Sequence, residues 1–287
     1  MSTGRKLKAL LADNAPLVLP GVYDGLSAAI TRHVGFDAVY MSGAAVSYSM
    51  LGKPDIGLTT MTEMAEKAAY IYDATGQAIL ADADTGFGNA LNVARTVRAY
   101  EKAGVACIQL EDQVMPKRCG HMSGKAVISA EEMVGKIKAA CDARHDQDFM
   151  IMARTDARAI SGPEEAIRRA HIYKEAGADA LFLEAPQTEE EMRLFCRTFS
   201  DIPMLANMVE GGRTPLTPLE TLKEIGFSMV IYPGACARVV SKALTGLYTE
   251  IKTKGTTMEY LDNMFIFGEL NEILRLGEIR DLEKKYS

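Results

Sequence analysis

The chain reads as an α/β protein closed into a (β/α)8 TIM-type barrel. Short β-rich runs alternate with helical patterns from one end to the other, and four helical segments end in Gly followed two or three residues later by a strand. These are Gly35-Phe-Asp-Ala-Val-Tyr40, Gly104-Val-Ala-Cys-Ile-Gln109, Gly177-Ala-Asp-Ala-Leu-Phe182 and Gly226-Phe-Ser-Met-Val-Ile231. Glycine there takes the left-handed conformation that stops a helix and returns the chain to the sheet. The rival, a doubly wound open sheet, is disfavoured because no GxGxxG follows the first strand and the repeat has no break into halves.

Eight strands are predicted, at Leu17–Val22, Asp37–Ser42, Ala78–Asp82, Ala106–Glu111, Phe149–Arg154, Ala180–Glu184, Pro203–Asn207 and Ser228–Tyr232. Helices are expected near 25–34, 62–75, 92–103, 131–144, 164–176, 189–199, 218–225 and 235–253. Ser129 before acids at 131 and 132, and Ser161-Gly-Pro163 before Glu164, are recognisable helix starts. The whole of 1–287 is taken as one barrel domain, with 254–287 a C-terminal helical extension. That extension carries one more helical segment from Met258 to Leu274, whose stripe of Leu261, Met264, Phe265, Leu270, Ile273 and Leu274 either caps its own barrel or meets a partner.

Composition narrows the function classes. Hydrophobic residues at 48% and charged residues at 24% describe an ordinary globular chain. A net charge of −6 and a pI near 5.4 leave no electrostatic footprint for nucleic acid. The cysteines, at 107, 119, 141, 196 and 236, form no CxxC, which argues against a disulfide framework or a zinc site and fits the reduced cytoplasm. Asp13 and Asn14 interrupt the N-terminal apolar run, and no stretch reaches the roughly 18 apolar residues of a membrane span, so a soluble cytoplasmic protein is expected.

In a barrel the loops after the strands share one rim. The residues falling there are Tyr40-Met-Ser-Gly43, Asp82-Ala-Asp84, Glu111-Asp112, Arg154-Thr-Asp156, Glu184, Asn207 with Glu210, and Arg238, with Asp55 in a neighbouring loop. Asp82, Asp84, Asp55 and Glu111 would repel one another unless a cation sat among them, and such hard oxygen donors suit magnesium or manganese. Arg154 and Arg238 have the fork that grips a carboxylate by two bonds. Ser42, Gly43 and Ala44 are small enough to bring backbone N–H groups against a carboxylate or oxyanion. Among the cysteines Cys119 stands apart, flanked by Lys117, Arg118 and His121, whose charge lowers a thiol pKa; such a thiol can donate or accept a proton, or act as a nucleophile.

Asp82-Ala-Asp-Thr-Gly-Phe-Gly88, Glu111-Asp-Gln113 and above all Lys117-Arg-Cys-Gly-His121 make the chain resemble the isocitrate lyase and phosphoenolpyruvate mutase superfamily, and within it the short 2-methylisocitrate and 2,3-dimethylmalate lyases. The likeness runs from about Gly21 to Glu250. It implies a (β/α)8 barrel whose last helix is exchanged between subunits, usually in a homotetramer. It also implies magnesium-dependent cleavage of a 2-hydroxy acid into a 2-oxo acid and the enolate of a second carboxylic acid. On that resemblance Asp82 and Asp84 match the metal positions and Asp55 and Glu111 its outer sphere. Ser42, Gly43, Ala44, Gly120, Arg154, Glu184, Asn207, Glu210 and Arg238 fall in the substrate shell, and Tyr40 lies beside the reacting hydroxyl. Cys119 matches the acid that protonates the enolate, with Lys117 and His121 as its catalytic neighbours. The loop from Met115 to Lys125, which carries this donor and must admit substrate yet exclude water, is expected to open and close over the metal site. One departure matters: Gly211-Gly212-Arg213 follows Asn207-Met-Val-Glu210 where methylisocitrate lyases typically carry Phe-Gly, so the substrate's substituents stay open between the two lyase types. The alternatives are an oxaloacetate decarboxylase or hydrolase, a phosphonopyruvate-processing enzyme, or a barrel that binds a metabolite without turnover.

Overall fold

The computed structural model describes residues 1–13, 16–118 and 124–287. Helix α1 (Thr3–Leu11) precedes eight strands: β1 (Leu17–Val22), β2 (Ala38–Met41), β3 (Ala78–Asp82), β4 (Cys107–Glu111), β5 (Met150–Thr155), β6 (Ala180–Leu183), β7 (Leu205–Asn207) and β8 (Met229–Tyr232). Between them lie α2 (Gly25–Val34), α3 (Gly43–Val46) running into a π-helical turn at Ser47–Leu51, α4 (Met61–Thr75) and α5 (Ala90–Lys102). The series continues with α6 (Ala130–Ala143), α7 (Arg158–Ser161), α8 (Pro163–Glu175), α9 (Glu189–Thr198), α10 (Leu219–Ile225) and α11 (Ala235–Lys254).

All strand pairs are parallel, in the order β6-β5-β4-β3-β2-β1-β8-β7. The ring is drawn together between β6 and β7 by a parallel bridge from Leu181 to Met204, where the Leu181 N–H donates to the Pro203 carbonyl at 3.0 Å. This is the expected barrel. The glycines that the repeat singled out, Gly35, Gly104, Gly177 and Gly226, have φ of +101°, +86°, +109° and +108°, the left-handed region the turn back to the sheet requires.

Two apolar layers result from the two-residue period of a strand. One face of each strand packs outward against the helices through residues such as Val39, Ile79, Ile108 and Ile151. The other face fills the barrel interior with Leu19, Ala38, Ala78, Leu80, Cys107, Met150, Met152, Phe182, Leu205 and Met229. Helix α1, absent from the sequence-based assignment, closes the lower end: Leu7 is fully buried in the interior cluster and Thr3 Oγ1 donates to the Val105 carbonyl at 3.1 Å.

The C-terminal extension differs from the single segment expected over 258–274. It is a 3-10 turn (Met258–Asn263) followed by α12 (Phe267–Ile273) and α13 (Leu276–Tyr286). Arg275 sits at φ +61° between α12 and α13, so the helix cannot run on there. Ile273 is buried, but Phe265 and Phe267 are 60% and 86% exposed. No helix of the described residues is long and apolar enough to cross a membrane.

Helix α1 is held so close that a Cβ on Gly4 would lie 2.2 Å from the Asp148 carbonyl oxygen. Gly4→Ala must therefore push α1 off the barrel floor, and urea denaturation should show a loss of about 1–3 kcal/mol. An unchanged midpoint and slope would mean that α1 does not seal the interior.

Candidate active site

The interior register continues upward from the apolar layers into charge. Counting by two along each strand, Ala78 and Leu80 lead to Asp82, Cys107 and Gln109 to Glu111, and Met150 and Met152 to Arg154. Likewise Ala180 and Phe182 lead to Glu184, Leu205 to Asn207, and Ala38 and Tyr40 to Ser42. These tops of strands meet in a cavity of about 240 Å³ lined by Tyr40, Ser42, Ala44, Asp55, Asp82, Glu111, Lys117, Arg154, Glu184, Asn207 and Arg238. The structure thus gathers most of the residues singled out in the sequence.

The acids sit deeper than a solvated rim. Asp55, Asp82, Asp84 and Glu111 are all buried. The Lys117 ammonium stands among them, 2.5 Å from Asp55 Oδ1 and 2.7 Å from Asp84 Oδ1. Burial alone would lower the Lys117 pKa, but Asp84, Asp82 and Asp55 overcome it and hold the group charged, well above its ordinary value. Burial raises the Asp84 carboxyl, Lys117 draws it down and Asp82 and Asp55 push it up, leaving it at about 6. Burial also lifts Glu111 well above the usual carboxylate range against the pull of Arg154 and Lys117. The repulsion that pointed to a metal ion in the sequence is therefore offset in part by a lysine assigned only as a neighbour of the thiol.

Backbone geometry presses these groups together. Asp84 has φ +45° and donates its N–H to Asp82 Oδ1 at 3.0 Å, and Ala185, next to Glu184, has φ +60°. Two non-glycine residues in the left-handed region beside the cavity are a local cost that the surrounding packing must sustain. A Cβ on Gly43 would lie 2.6 Å from Asp82 Oδ2, so only glycine lets the start of α3 approach that carboxylate. Ser42 caps α3 by accepting from the Ala45 N–H at 3.3 Å. The Ser42 N–H already donates to the Val22 carbonyl at 3.1 Å, so of the three amides proposed to meet an anion, those of Gly43 and Ala44 remain suited to it.

Arg154 is gripped by Asp156 through two bonds, of 2.9 and 3.2 Å, lies 3.4 Å from Glu111 Oε2, and stacks its guanidinium 5.0 Å from the Phe182 ring centroid. Burial lowers its pKa, yet Asp156, Glu111 and Glu184 together raise it well above the usual arginine value. Asn207 Nδ2 donates to Glu184 Oε2 at 3.2 Å. Arg238 lies at the outer edge, half exposed, and donates to the Glu210 carbonyl at 2.5 Å and towards Glu210 Oε2 at 3.4 Å. Glu210 thus supports Arg238 and is not itself a cavity wall. Tyr40 donates its hydroxyl to Gln109 Oε1 at 3.1 Å, and burial with Asp82 nearby raises its pKa well above the ordinary phenol value, so it stays protonated.

Cys119, Gly120 and His121 lie outside the described residues. The other four cysteines are buried or half-buried, and Cys107, Cys141 and Cys196 have their thiols pushed up chiefly by burial, which fits inert packing. Residues missed by the sequence reading include Gln109, Tyr48 and the apolar wall of Val209, Ile231 and Pro233. Gln109 could have been found by the same count of two that reaches Glu111. Tyr48 sits on the π-helical turn, which no strand or helix period marks.

Among the described residues no three of His, Cys, Asp or Glu gather closely enough to hold a metal by protein ligands alone. Magnesium does not need that, since it keeps several waters and takes one or two carboxylates. Glu111 Oε1 is buried with no hydrogen-bond partner among the described residues, an acceptor of the hard-oxygen kind such an ion or its waters would satisfy. The donor set fits magnesium on that ground.

Residues 7–252 match the phosphoenolpyruvate phosphomutase family. The 2,3-dimethylmalate lyase of Eubacterium barkeri is 53% identical over 100% of this chain and 99% of its own. A 2-methylisocitrate lyase of Aeropyrum pernix is 46% identical over 94% of this chain and 87% of its own. A crystal structure of 2,3-dimethylmalate lyase, described as a PEP mutase/isocitrate lyase superfamily member, superposes with a TM-score of 0.95 at 35% identity, over 100% of this chain and 96% of that one. A phosphonopyruvate hydrolase complexed with oxalate and Mg²⁺ superposes with a TM-score of 0.89 at 29% identity, over 100% of this chain and 99% of that one.

The close approach at Gly43 yields a test. Gly43→Ala should displace Asp82 or the start of α3 and lower turnover by about tenfold or more with the barrel still folded. Circular dichroism and steady-state rates check it, and full activity in a folded variant would remove this contact from the site.

Proposed function

Because the chain belongs to the phosphoenolpyruvate mutase/isocitrate lyase superfamily, we propose that it is a carbon–carbon lyase acting on a 2-hydroxy di- or tricarboxylate of the 2,3-dimethylmalate or 2-methylisocitrate type. The products are a 2-oxo acid such as pyruvate and a second carboxylic acid. The observation that carries this reading is the joint presence in one cavity of buried acids, Asp82 and Glu111, and of carboxylate-gripping arginines, Arg154 and Arg238.

Cleavage requires the 2-hydroxyl to pass its proton to a base of the site, the carbon–carbon bond to break, and the electron pair to leave with the second acid as an enolate, which then gains a proton on carbon from an acid of the site. Asp82 and Asp84 are assigned to hold magnesium, with Asp55 and Glu111 around its waters; manganese suits the same donors. When bound, the ion supplies positive charge to the 2-oxo acid. The Gly43 and Ala44 amides and Arg154 then bind the carboxylate of that half, while Tyr40, kept protonated and donating to Gln109, places its oxygen beside the reacting hydroxyl as an acceptor. Glu184 and Asn207 complete the shell, and Arg238, braced by Glu210, meets the second carboxylate. Cys119 is assigned to protonate the enolate, with Lys117 and His121 as its neighbours, and Gly120 to the substrate shell. Lys117 also balances Asp55 and Asp84, which ties that loop to the acids.

A turnover screen with magnesium tests the reading, run on 2,3-dimethylmalate, 2-methylisocitrate, isocitrate, citramalate, oxaloacetate and phosphonopyruvate with detection of 2-oxo acids. Cleavage of one of the first two, lost on chelation and reduced roughly a hundredfold by Cys119→Ser, is expected. Turnover confined to oxaloacetate or phosphonopyruvate, or insensitive to that substitution, would place the protein in another branch.

The exposed Phe265, Ile266 and Phe267 support a second proposal, that the extension packs on another copy of the chain in a homo-oligomer, a tetramer with exchanged helices. Light scattering should give a tetramer for the full chain and a smaller or precipitating species after removal of residues 255–287. A full-length monomer rules the proposal out.

A further inference from the structure

Asp156 has no part in the assignments above, yet it is fully buried beside the cavity and its carboxylate serves two cations. Oδ2 accepts from Arg154 Nε at 2.9 Å, while Oδ1 accepts from Arg154 Nη2 at 3.2 Å and from Lys125 Nζ at 2.6 Å. We infer that Asp156 is the positioning residue that orients Arg154 towards a substrate carboxylate, and that Lys125 sets how much of the Arg154 charge reaches that carboxylate. The inference rests on the reading of Arg154 as a carboxylate-binding group.

Orientation comes first. Two bonds to one edge of a guanidinium fix both its plane and its rotation in that plane. Asp156 takes the Nε and Nη2 edge, Phe182 backs the ring-like face at 5.0 Å, and the fork still lines the cavity. The holder is itself held. Asp112 Oδ1 accepts the Asp156 N–H at 2.9 Å, and Asp112 Oδ2 accepts the Thr155 hydroxyl at 2.7 Å. Arg169 and Tyr173 donate to that same Asp112 oxygen at 3.1 and 2.8 Å, which fixes the carboxylate that fixes the strand end.

Charge is the second half. Arg154 faces Asp156 and Glu111 together, and two acids on one arginine would leave it little attraction for an incoming anion. Lys125 on the shared oxygen offsets the Asp156 charge and so returns attraction to Arg154. Burial opposes ionisation of Asp156, but Arg154 and Lys125 outweigh it and keep the carboxyl below its usual range. A pair that served stability alone would have no reason to sit on the arginine that lines the cavity.

The test compares Lys125→Met, Asp156→Asn and Arg154→Lys, and the first two each combined with the third. Steady-state rates on 2,3-dimethylmalate with magnesium are measured alongside calorimetric binding of oxalate, a planar stand-in for the 2-oxo acid product. Asp156→Asn and Lys125→Met should each raise KM and the oxalate Kd by about tenfold or more while lowering kcat less than about threefold. On the Arg154→Lys background neither should add more than about twofold, because both act through that side chain. Unchanged KM and Kd, or effects that add in full on that background, would overturn the inference. If Arg154→Lys alone changes neither quantity, it is the role of Arg154 that fails instead. Should Asp156→Asn not fold, Lys125→Met decides the matter, since it leaves the Asp156 and Arg154 pair in place.

Discussion

The two-residue period of a strand is the constraint on which this molecule depends. Side chains that face inward at the bottom of the barrel force the residues two and four positions later to face inward at the top. Packing needs Ala78 and Leu80, or Met150 and Met152, in the interior; chemistry inherits Asp82 and Arg154 at the next inward step. Slipping one strand by a single residue would put a charged group among the helices and an apolar one in the cavity. The same register sets Glu111 directly across from Arg154 on neighbouring strands.

Carrying charge inward has a cost that the structure meets with cations rather than with solvent. Beside the cavity, buried basic groups do this, with Lys117 between Asp55 and Asp84, Lys125 on Asp156, and Arg154 between Asp156 and Glu111. Buried ion pairs are weak contributors to net stability, because desolvation offsets most of their attraction, whereas removing one partner leaves an uncompensated charge and is strongly destabilising. Their value here is geometric. They hold guanidinium and carboxylate groups in set orientations before any substrate arrives, which is what preorganised electrostatic binding requires. Left-handed backbone at Asp84 and the glycine-only contact at Gly43 belong to the same economy, local cost tolerated around a cavity that the barrel surrounds on all sides.

Most of the fold was legible in the sequence because buried parallel strands are continuous apolar runs and their helices are closed by glycine. Strands β1 and β3 lie where they were expected to the residue, and α2 likewise. Helix α1 was missed because Asp13 and Asn14 were weighed only against a signal peptide, although Ser2 caps it and accepts from the Arg5 N–H at 3.3 Å. The end of the C-terminal segment at Leu274 agrees with α12 ending at Ile273, whereas the break at 264–266 and helix α13 were not expected. In the site, the strand-end acids and arginines were visible as polar residues ending apolar runs. The partners were not: Lys125 with Asp156 and Lys117 with Asp84 join residues about thirty apart across loops, and only the closed barrel brings them together. Gln109 was overlooked because a lone amide inside an apolar strand looks like a tolerated exception until Tyr40 is seen donating to it.

The central claim is that the acids at the tops of β3 and β4 form the cation site of a lyase acting on carboxylates. It is tested most directly by locating the ion itself. Crystals soaked with manganese and oxalate, measured at a wavelength where manganese scatters anomalously, should show one strong peak against the Asp82 carboxylate, with oxalate between it and Arg154. A peak elsewhere on the surface, or none while Lys117 keeps its place between Asp55 and Asp84, would contradict the account.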